Sequence, residues 1–127
     1  MSGEKQSEIS GLLTKLQLVP VVALPSVDAG LRLAEILIRC NLPVAEITFR
    51  TPCAAEAIKA MKKGFSDLLL LAGTVLTTEN VDIAKDAGAE CIVIPGFDKG
   101  IVEYCQAQNM MVCPGTATPT EVMQCMG

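Results

Sequence analysis

Three side chains in the stretch Val44–Thr51, VAEITFRT, could do chemistry together: Glu46, Thr48 and Arg50. Side chains of an extended segment alternate between faces, so these three share one face while Ala45, Ile47 and Phe49 share the other. A carboxylate on a partly enclosed wall has its pKa pushed toward neutrality, where it can give and take a proton. A guanidinium can hold a carboxylate through two parallel hydrogen bonds, which orients that group as well as binding it. Same-face positions four residues apart lie about 13 Å from each other along a strand. Glu46 and Arg50 are therefore too far apart for a simple intrastrand ion pair. They read as a base and an anion clamp on one pocket wall.

Those residues need strands that end at a common mouth. Apolar, strand-like runs occur at Val19–Leu24, Val44–Phe49, Leu68–Ala72, Cys91–Ile94 and Met110–Cys113, starting roughly 20–25 residues apart. Between them lie stretches with helical spacing and recognisable punctuation. Ser26 is placed to cap a helix carrying Leu33, Ile36, Leu37 and Cys40, closed by Asn41 and Pro43. Thr51 is expected to cap the next, with Pro52 at its first position and Gly64 at its end. Thr77-Thr78 opens a third helix that stops at Gly88, a fourth runs from about Asp98 to Asn109, and Thr118-Pro119-Thr120-Glu121 fits a capping box. Strand, short loop and helix in this rhythm is the signature of parallel α/β folds.

No G-x-G-x-x-G turn follows the first strand, where VVALPSVDAG stands instead, and no P-loop occurs, which argues against a dinucleotide-binding sheet. The polar and close-approach residues fall at strand C-termini: Glu46 and Arg50, Gly73-Thr74, Pro95-Gly96 and Pro114-Gly115-Thr116. That distribution belongs to a (β/α)8 TIM-type barrel, of which 127 residues hold about five of eight units. The expected organisation is one incomplete barrel domain over 1–127, with 1–10 a polar N-terminal extension.

Composition narrows the partners. Half the residues are apolar and only 3% aromatic, with a mean hydropathy of +0.44, as suits a core of aliphatic strands buried on both faces. A net charge of −4 without a basic stripe argues against nucleic acid. The first ten residues carry no apolar secretory stretch, and the run Leu68–Ala72 is too short to span a membrane. There is no histidine, and none of the six cysteines forms a C-x-x-C pair. The expectation is a cytoplasmic protein with reduced, mostly buried thiols, no metal and no cofactor.

The segments LVPVVAL (18–24), VAEITFRT (44–51), AGTVLT (72–77), IPGFD (94–98) and CPGTATPTE (113–121) resemble, in order and spacing, the aldolases of 2-keto-3-deoxy-6-phosphogluconate (KDPG). That family also cleaves 4-hydroxy-2-oxoglutarate. The resemblance implies a (β/α)8 barrel, a homotrimer, a small 2-keto acid substrate with a pyruvate moiety, and class I chemistry without a metal. A lysine amine forms an imine with the substrate ketone, and the imine is the electron sink for cleavage of the C3–C4 bond. Glu46 matches the family's general acid/base and Arg50 its carboxylate clamp. Thr74 matches the carboxylate-binding hydroxyl, Gly73 its close-approach partner, and Pro95 lines the same mouth. Structural roles compete for three of these: room for backbone at Gly73, turn chemistry at Thr74, a shaped strand exit at Pro95.

One family feature has no counterpart. The imine-forming lysine belongs to a sixth-strand segment resembling KFFPA, and the phosphate site to loops after later strands. The lysines here, Lys5, Lys15, Lys59, Lys62, Lys63, Lys85 and Lys99, all fall in expected helices or loops. The chain is thus expected to be part of such an aldolase, or else a non-catalytic half-barrel that associates with itself or a partner. A third option is a phosphosugar barrel without imine chemistry. The 127-residue chain alone is expected to yield no borohydride-trapped adduct with pyruvate. Intact-mass spectrometry checks this, and a mass shift on any of its seven lysines would overturn the expectation.

Overall fold

A computed structural model describes residues 3–127, and the placement of each element follows from local sequence. Five parallel strands, β1 (Val21–Val22), β2 (Val44–Thr48), β3 (Leu69–Gly73), β4 (Cys91–Ile94) and β5 (Met111–Pro114), form one sheet in the order β1-β2-β3-β4-β5. Every strand lies beside its neighbour in sequence. A doubly wound sheet reverses direction partway, whereas a barrel does not, so this order selects the barrel topology. β2 and β3 pair over five positions, from Val44↔Leu69 to Thr48↔Gly73.

β1 is shorter than the expected Val19–Leu24. Pro20 has no N–H to give a ladder and Pro25 closes the segment, so only Val21 and Val22 pair with Glu46 and Ile47.

Helices follow each strand: α2 (Val27–Arg39), α3 (Ala54–Gly64), α4 (Thr78–Ala87), α5 (Lys99–Ala107) and α6 (Pro119–Met126). Side chains satisfy the first N–H groups of four of them. Ser26 Oγ accepts from the Ala29 N–H at 3.1 Å, Thr77 from Asn80 at 3.1 Å and Asp98 from Ile101 at 3.0 Å. Thr118 and Glu121 form the reciprocal box, with Glu121 accepting from the Ala117 and Thr118 N–H groups and held below the usual carboxylate range by those bonds.

The cap expected at Thr51 is displaced. Phe49–Cys53 form a turn, and α3 begins at Ala54 behind Cys53, whose side chain makes no cap bond. The Cys53 thiol instead donates to the Leu24 carbonyl at 3.3 Å, tying the start of α3 to the exit of β1.

The outward face of the sheet, with Ala45, Ile47, Leu70, Ala72, Ile92 and Ile94, packs against Ala34, Leu37, Ile58, Met61, Val81, Ala84 and Ile101. A second cluster occupies the inward face. Val44, Leu69, Leu71 and Cys91 meet Ile9, Leu12, Leu13 and Leu16 of a further helix, α1 (Gly3–Leu16). Residues 3–10, expected as a polar extension, are therefore the first turns of a helix with Ile9 buried. The apolar spacing at 9, 12, 13 and 16 builds one stripe of that helix. Residues 1 and 2 of the expected extension lie outside the described residues.

Lys62 closes the N-terminal end of the sheet. Its Nζ donates to the Ser66 carbonyl at 3.1 Å and the Leu68 carbonyl at 2.7 Å, and it pairs with Glu90 just before β4. Lys62→Met would leave a half-buried carboxylate and two carbonyls without that donor. The expected cost is about 1–2 kcal/mol of unfolding free energy, read as a lowered urea midpoint. A change within about 0.5 kcal/mol, the size of an ordinary surface substitution, would show that Lys62 is not a structural tie.

Candidate active site

The inward face changes character along the strands. Its first level is apolar, with Val44 beside Leu69; at the next level Glu46 stands beside Leu71 and Cys91, and Thr48 and Gly73 follow at the C-terminal level. α1 covers the first level, so the polar groups stand where that cover ends. Thr48 is 1% exposed and its hydroxyl donates to the Val22 carbonyl at 3.3 Å. A buried Thr whose hydroxyl is committed to a neighbouring strand serves as a strut.

Glu46 is in register with Leu71, yet its carboxylate leans two residues further along β3 and lies over Gly73. A Cβ built on Gly73 would fall 2.0 Å from Glu46 Oε1 and 2.8 Å from Cδ. No side chain fits there, so the absence of a Cβ at 73 is what lets the carboxylate reach the mouth. Burial pushes the Glu46 carboxyl up, partly offset by the positive charge of Arg50. The wall thus sets the larger influence on this carboxyl, and the charge of Arg50 the smaller one.

Arg50 is not on the strand. β2 ends at Thr48, and Arg50 lies in the following turn with its side chain exposed. The alternation that placed it beside Glu46 and Thr48 stops before it. It still reaches the same mouth, because its Nε donates to Thr74 Oγ1 at 3.2 Å. Glu46 and Arg50 form no salt bridge among the described residues.

Thr74 takes the left-handed backbone conformation, with φ of 56°. A β-branched residue there is strained by about 1–2 kcal/mol. The turn sets its hydroxyl across from Arg50 at the end of β3. Pro95 is exposed at the exit of β4. Gly115 presses against it: a Cβ on 115 would lie 2.2 Å from the Pro95 carbonyl oxygen, and the Gly115 N–H donates to the Ile94 carbonyl at 2.9 Å. Glu46, Gly73, Thr74 and Arg50 are thus brought together by contact, while Pro95 belongs to the next strand exit along the same rim.

The thiols depart from the expectation of mostly buried groups. Cys91 and Cys105 are buried, Cys53 and Cys113 are half-buried, and Cys40 and Cys125 are exposed. Cys91 and Cys113 were spaced 22 residues apart with nothing local to join them. Strand pairing brings their sulfurs to 3.7 Å on the inward face. Among the described residues no group of three or more His, Cys, Asp or Glu side chains is placed to hold a metal. A cleft of about 600 Å³ at the other end of the sheet is lined by Lys5, Lys62 and Lys85. Two of those amines are already bonded, Lys62 as above and Lys85 to Gln108, which leaves the strand-exit rim as the better site.

The chain is similar to known aldolases. The model described as "Aldolase: KDPG and KHG aldolase" matches residues 9–127. The 2-dehydro-3-deoxy-phosphogluconate aldolase of Haemophilus influenzae is 44% identical over 110 residues, covering 87% of this chain and 52% of that protein. The solved 2-keto-3-deoxy-6-phosphogluconate aldolase of Zymomonas mobilis, with 3-phosphoglycerate, superposes with a TM-score of 0.82 at 35% identity, over 91% of this chain and 56% of that one. A Legionella pneumophila KDPG aldolase, with pyruvate captured as a covalent carbinolamine, gives a TM-score of 0.81 at 32% identity, over 86% and 53% of the two chains. The chain spans about half the length of the curated relatives it matches. Its open five-strand sheet is part of a (β/α)8 fold.

The raised Glu46 carboxyl has a measurable consequence for folding. The folded protein holds that proton more tightly than the unfolded chain, so protonation favours folding. This contribution is full below the ordinary carboxylate pKa and is lost as pH rises through the raised folded value. Glu46→Gln is expected to remove that loss, making the variant more stable than the wild type at pH 7 and the two alike near pH 4. Urea midpoints across that range test it, and a variant less stable at pH 7 would refute the burial of an ionised carboxylate on this wall.

Proposed function

The chain belongs to the KDPG and KHG aldolase family, and from that premise we propose that it serves as the acid/base and carboxylate-clamp portion of a class I aldolase. The proposed reactions cleave 2-keto-3-deoxy-6-phosphogluconate to pyruvate and glyceraldehyde 3-phosphate, and 4-hydroxy-2-oxoglutarate to pyruvate and glyoxylate. The observation that carries this reading is the Glu46 carboxylate lying over Gly73 beside the Arg50–Thr74 pair.

In the proposed cycle a lysine amine adds to the substrate ketone and loses water to form a protonated imine. Glu46 takes the proton of the C4 hydroxyl as the C3–C4 bond breaks, with its electron pair drawn into the imine. The aldehyde leaves, the same carboxyl protonates the pyruvate enamine, and water frees the lysine. The substrate carboxylate is gripped by Arg50 and the Thr74 hydroxyl, which fixes the ketone at the height of Glu46. Gly73 keeps the carboxylate's path open, and Pro95 lines the rim. No metal or cofactor enters this scheme.

The amine must come from outside these residues. Lys5 and Lys15 lie on α1, Lys59, Lys62 and Lys63 on α3, Lys85 on α4 and Lys99 on α5, so none of the seven stands on a strand. That placement also keeps alive a second reading, in which the 127 residues act without turnover, as a half-barrel that associates with itself or another chain. A homotrimer and a cytoplasmic location belong to the first reading.

Two variants of the full-length enzyme separate the roles. Arg50→Ala is expected to weaken pyruvate binding by about 10–100-fold, the worth of a charged hydrogen bond, with a smaller effect on kcat. Gly73→Ala is expected to lower kcat by about 100-fold, with KM changed little, because its methyl displaces the base rather than the clamp. Steady-state kinetics with both substrates checks the split. Unaltered pyruvate binding in Arg50→Ala would refute the clamp, and an unaltered kcat in Gly73→Ala would refute the base.

A further inference from the structure

Cys91 and Cys113 stand apart from the other four thiols. They lie on adjacent strands with their sulfurs 3.7 Å apart, and they share the inward face with Glu46. Cys91 is fully buried on β4, while Cys113 is half-buried on β5. Among the described residues β5 pairs with β4.

We propose that Cys91 and Cys113 form a peroxide-sensitive dithiol on the inward wall, in which Cys113 is oxidised first and Cys91 resolves it to a disulfide. The assignment of roles follows from burial. Between two thiols that share one hydrogen bond, the proton stays on the more deeply buried sulfur, because burial disfavours the thiolate most there. The Cys91 thiol is accordingly held above its ordinary range, by its hydrogen bond with Cys113 and by burial, and that of Cys113 is held below its own by the same bond. The Glu46 carboxylate pushes both thiols up, adding to the other influences at Cys91 and opposing the Cys91 hydrogen bond at Cys113, which outweighs it.

The steps balance with hydrogen peroxide as oxidant. The Cys113 thiolate attacks one peroxide oxygen and the O–O bond breaks, giving a sulfenic acid and hydroxide. The Cys91 sulfur then attacks the Cys113 sulfur, the S–O bond breaks, and a second hydroxide leaves. The two hydroxides take up the two thiol protons, so two thiols and one peroxide become one disulfide and two waters. A disulfide is about 2.05 Å long, so the sulfurs must close by about 1.6 Å. Cys113 is in register with Val93 and Cys91 with Met111, which makes the pair diagonal. Closure therefore combines side-chain rotation with a small shift of β5 relative to β4.

The other thiols lack this arrangement. Cys105 is buried with its pKa pushed up to about 11 by desolvation. Cys53 is committed to the Leu24 carbonyl. Cys40 and Cys125 are exposed on α2 and α6 ends, and neither has a sulfur partner among the hydrogen bonds of the described residues.

The test uses the chain with its exposed thiols removed by Cys40→Ser and Cys125→Ser, exposed to one equivalent of hydrogen peroxide, alkylated and digested. The expected product is a Cys91–Cys113 linked peptide, lighter by two hydrogens and lost on dithiothreitol treatment. Adding Cys91→Ser is expected to abolish the link and leave a dimedone adduct on Cys113. A Cys113 that stays fully alkylated after peroxide would overturn the proposal. So would Cys113 driven to sulfinic acid with no link to Cys91, or a link from Cys113 to any other cysteine. If Cys91→Ser does not fold, the linked peptide in the parent chain decides the matter alone.

Discussion

The five-position ladder between β2 and β3 is the constraint on which the site depends. It pairs Val44 with Leu69 and carries that register unbroken to Thr48 and Gly73. Parallel pairing sends every inward side chain of one strand to the same level as its counterpart. Glu46 consequently has Leu71 beside it, with a residue lacking a side chain one step further along the face. A slip of one residue would turn Glu46 into the helix layer and set a carboxylate among Ile58 and Met61. Burial of an unpaired charge there would cost several kcal/mol, so the same ladder that builds the sheet also fixes where that carboxylate can stand.

Two-sided burial sets the limits of the polar region. The outward face is covered along its length by the helix layer, and α1 covers the inward face only over its first levels. A carboxylate placed lower would be desolvated against Leu69 and Ile9, and one placed higher would be solvated and ordinary. Glu46 sits at the transition, and its raised pKa expresses that position. Lys62 stabilises the opposite end by binding carbonyls of the α3–β3 loop together with Glu90 before β4. The structural tie thus lies at the opposite end of the sheet from the polar groups, the division that barrels show between stability and chemistry.

Close backbone approach is the recurring device at the rim. Gly73 admits a carboxylate, Gly115 admits the Pro95 carbonyl, and Thr74 tolerates a left-handed turn that a β-branched residue resists. The strain at Thr74 is offset by its surroundings, including the Val75 N–H bonded to the Val93 carbonyl and the Phe49 N–H bonded to Gly73. Rigid strand ends on either side hold the turn, so the Thr74 hydroxyl meets the Arg50 guanidinium at a defined height. The thiol pair belongs to the same wall, with Cys91 level with Glu46 and Cys113 one step further along the face, and both feel that carboxylate.

Local patterning was enough to place β2, β4 and the helix starts at Ser26, Thr77, Asp98 and Thr118, because period-two apolar runs and capping side chains act within a few residues. It also put Glu46 on the inward face, since alternation along one strand is a local property. The α1 stripe at Ile9, Leu12, Leu13 and Leu16 was equally present in the sequence but hidden by the polar residues around it. Arg50 was placed by extending alternation past the point where β2 ends, and Thr51 by cap chemistry that the turn to Cys53 overrides. Neither the Arg50–Thr74 bond, across 24 residues, nor the Cys91–Cys113 contact, across 22, could be read locally. Sequence alone determined which groups were available and which face of its strand each would take, through the two-residue period of the backbone. Only the tertiary structure decided which of them meet, because contact between strands depends on register, and register is settled by the packing of the whole sheet.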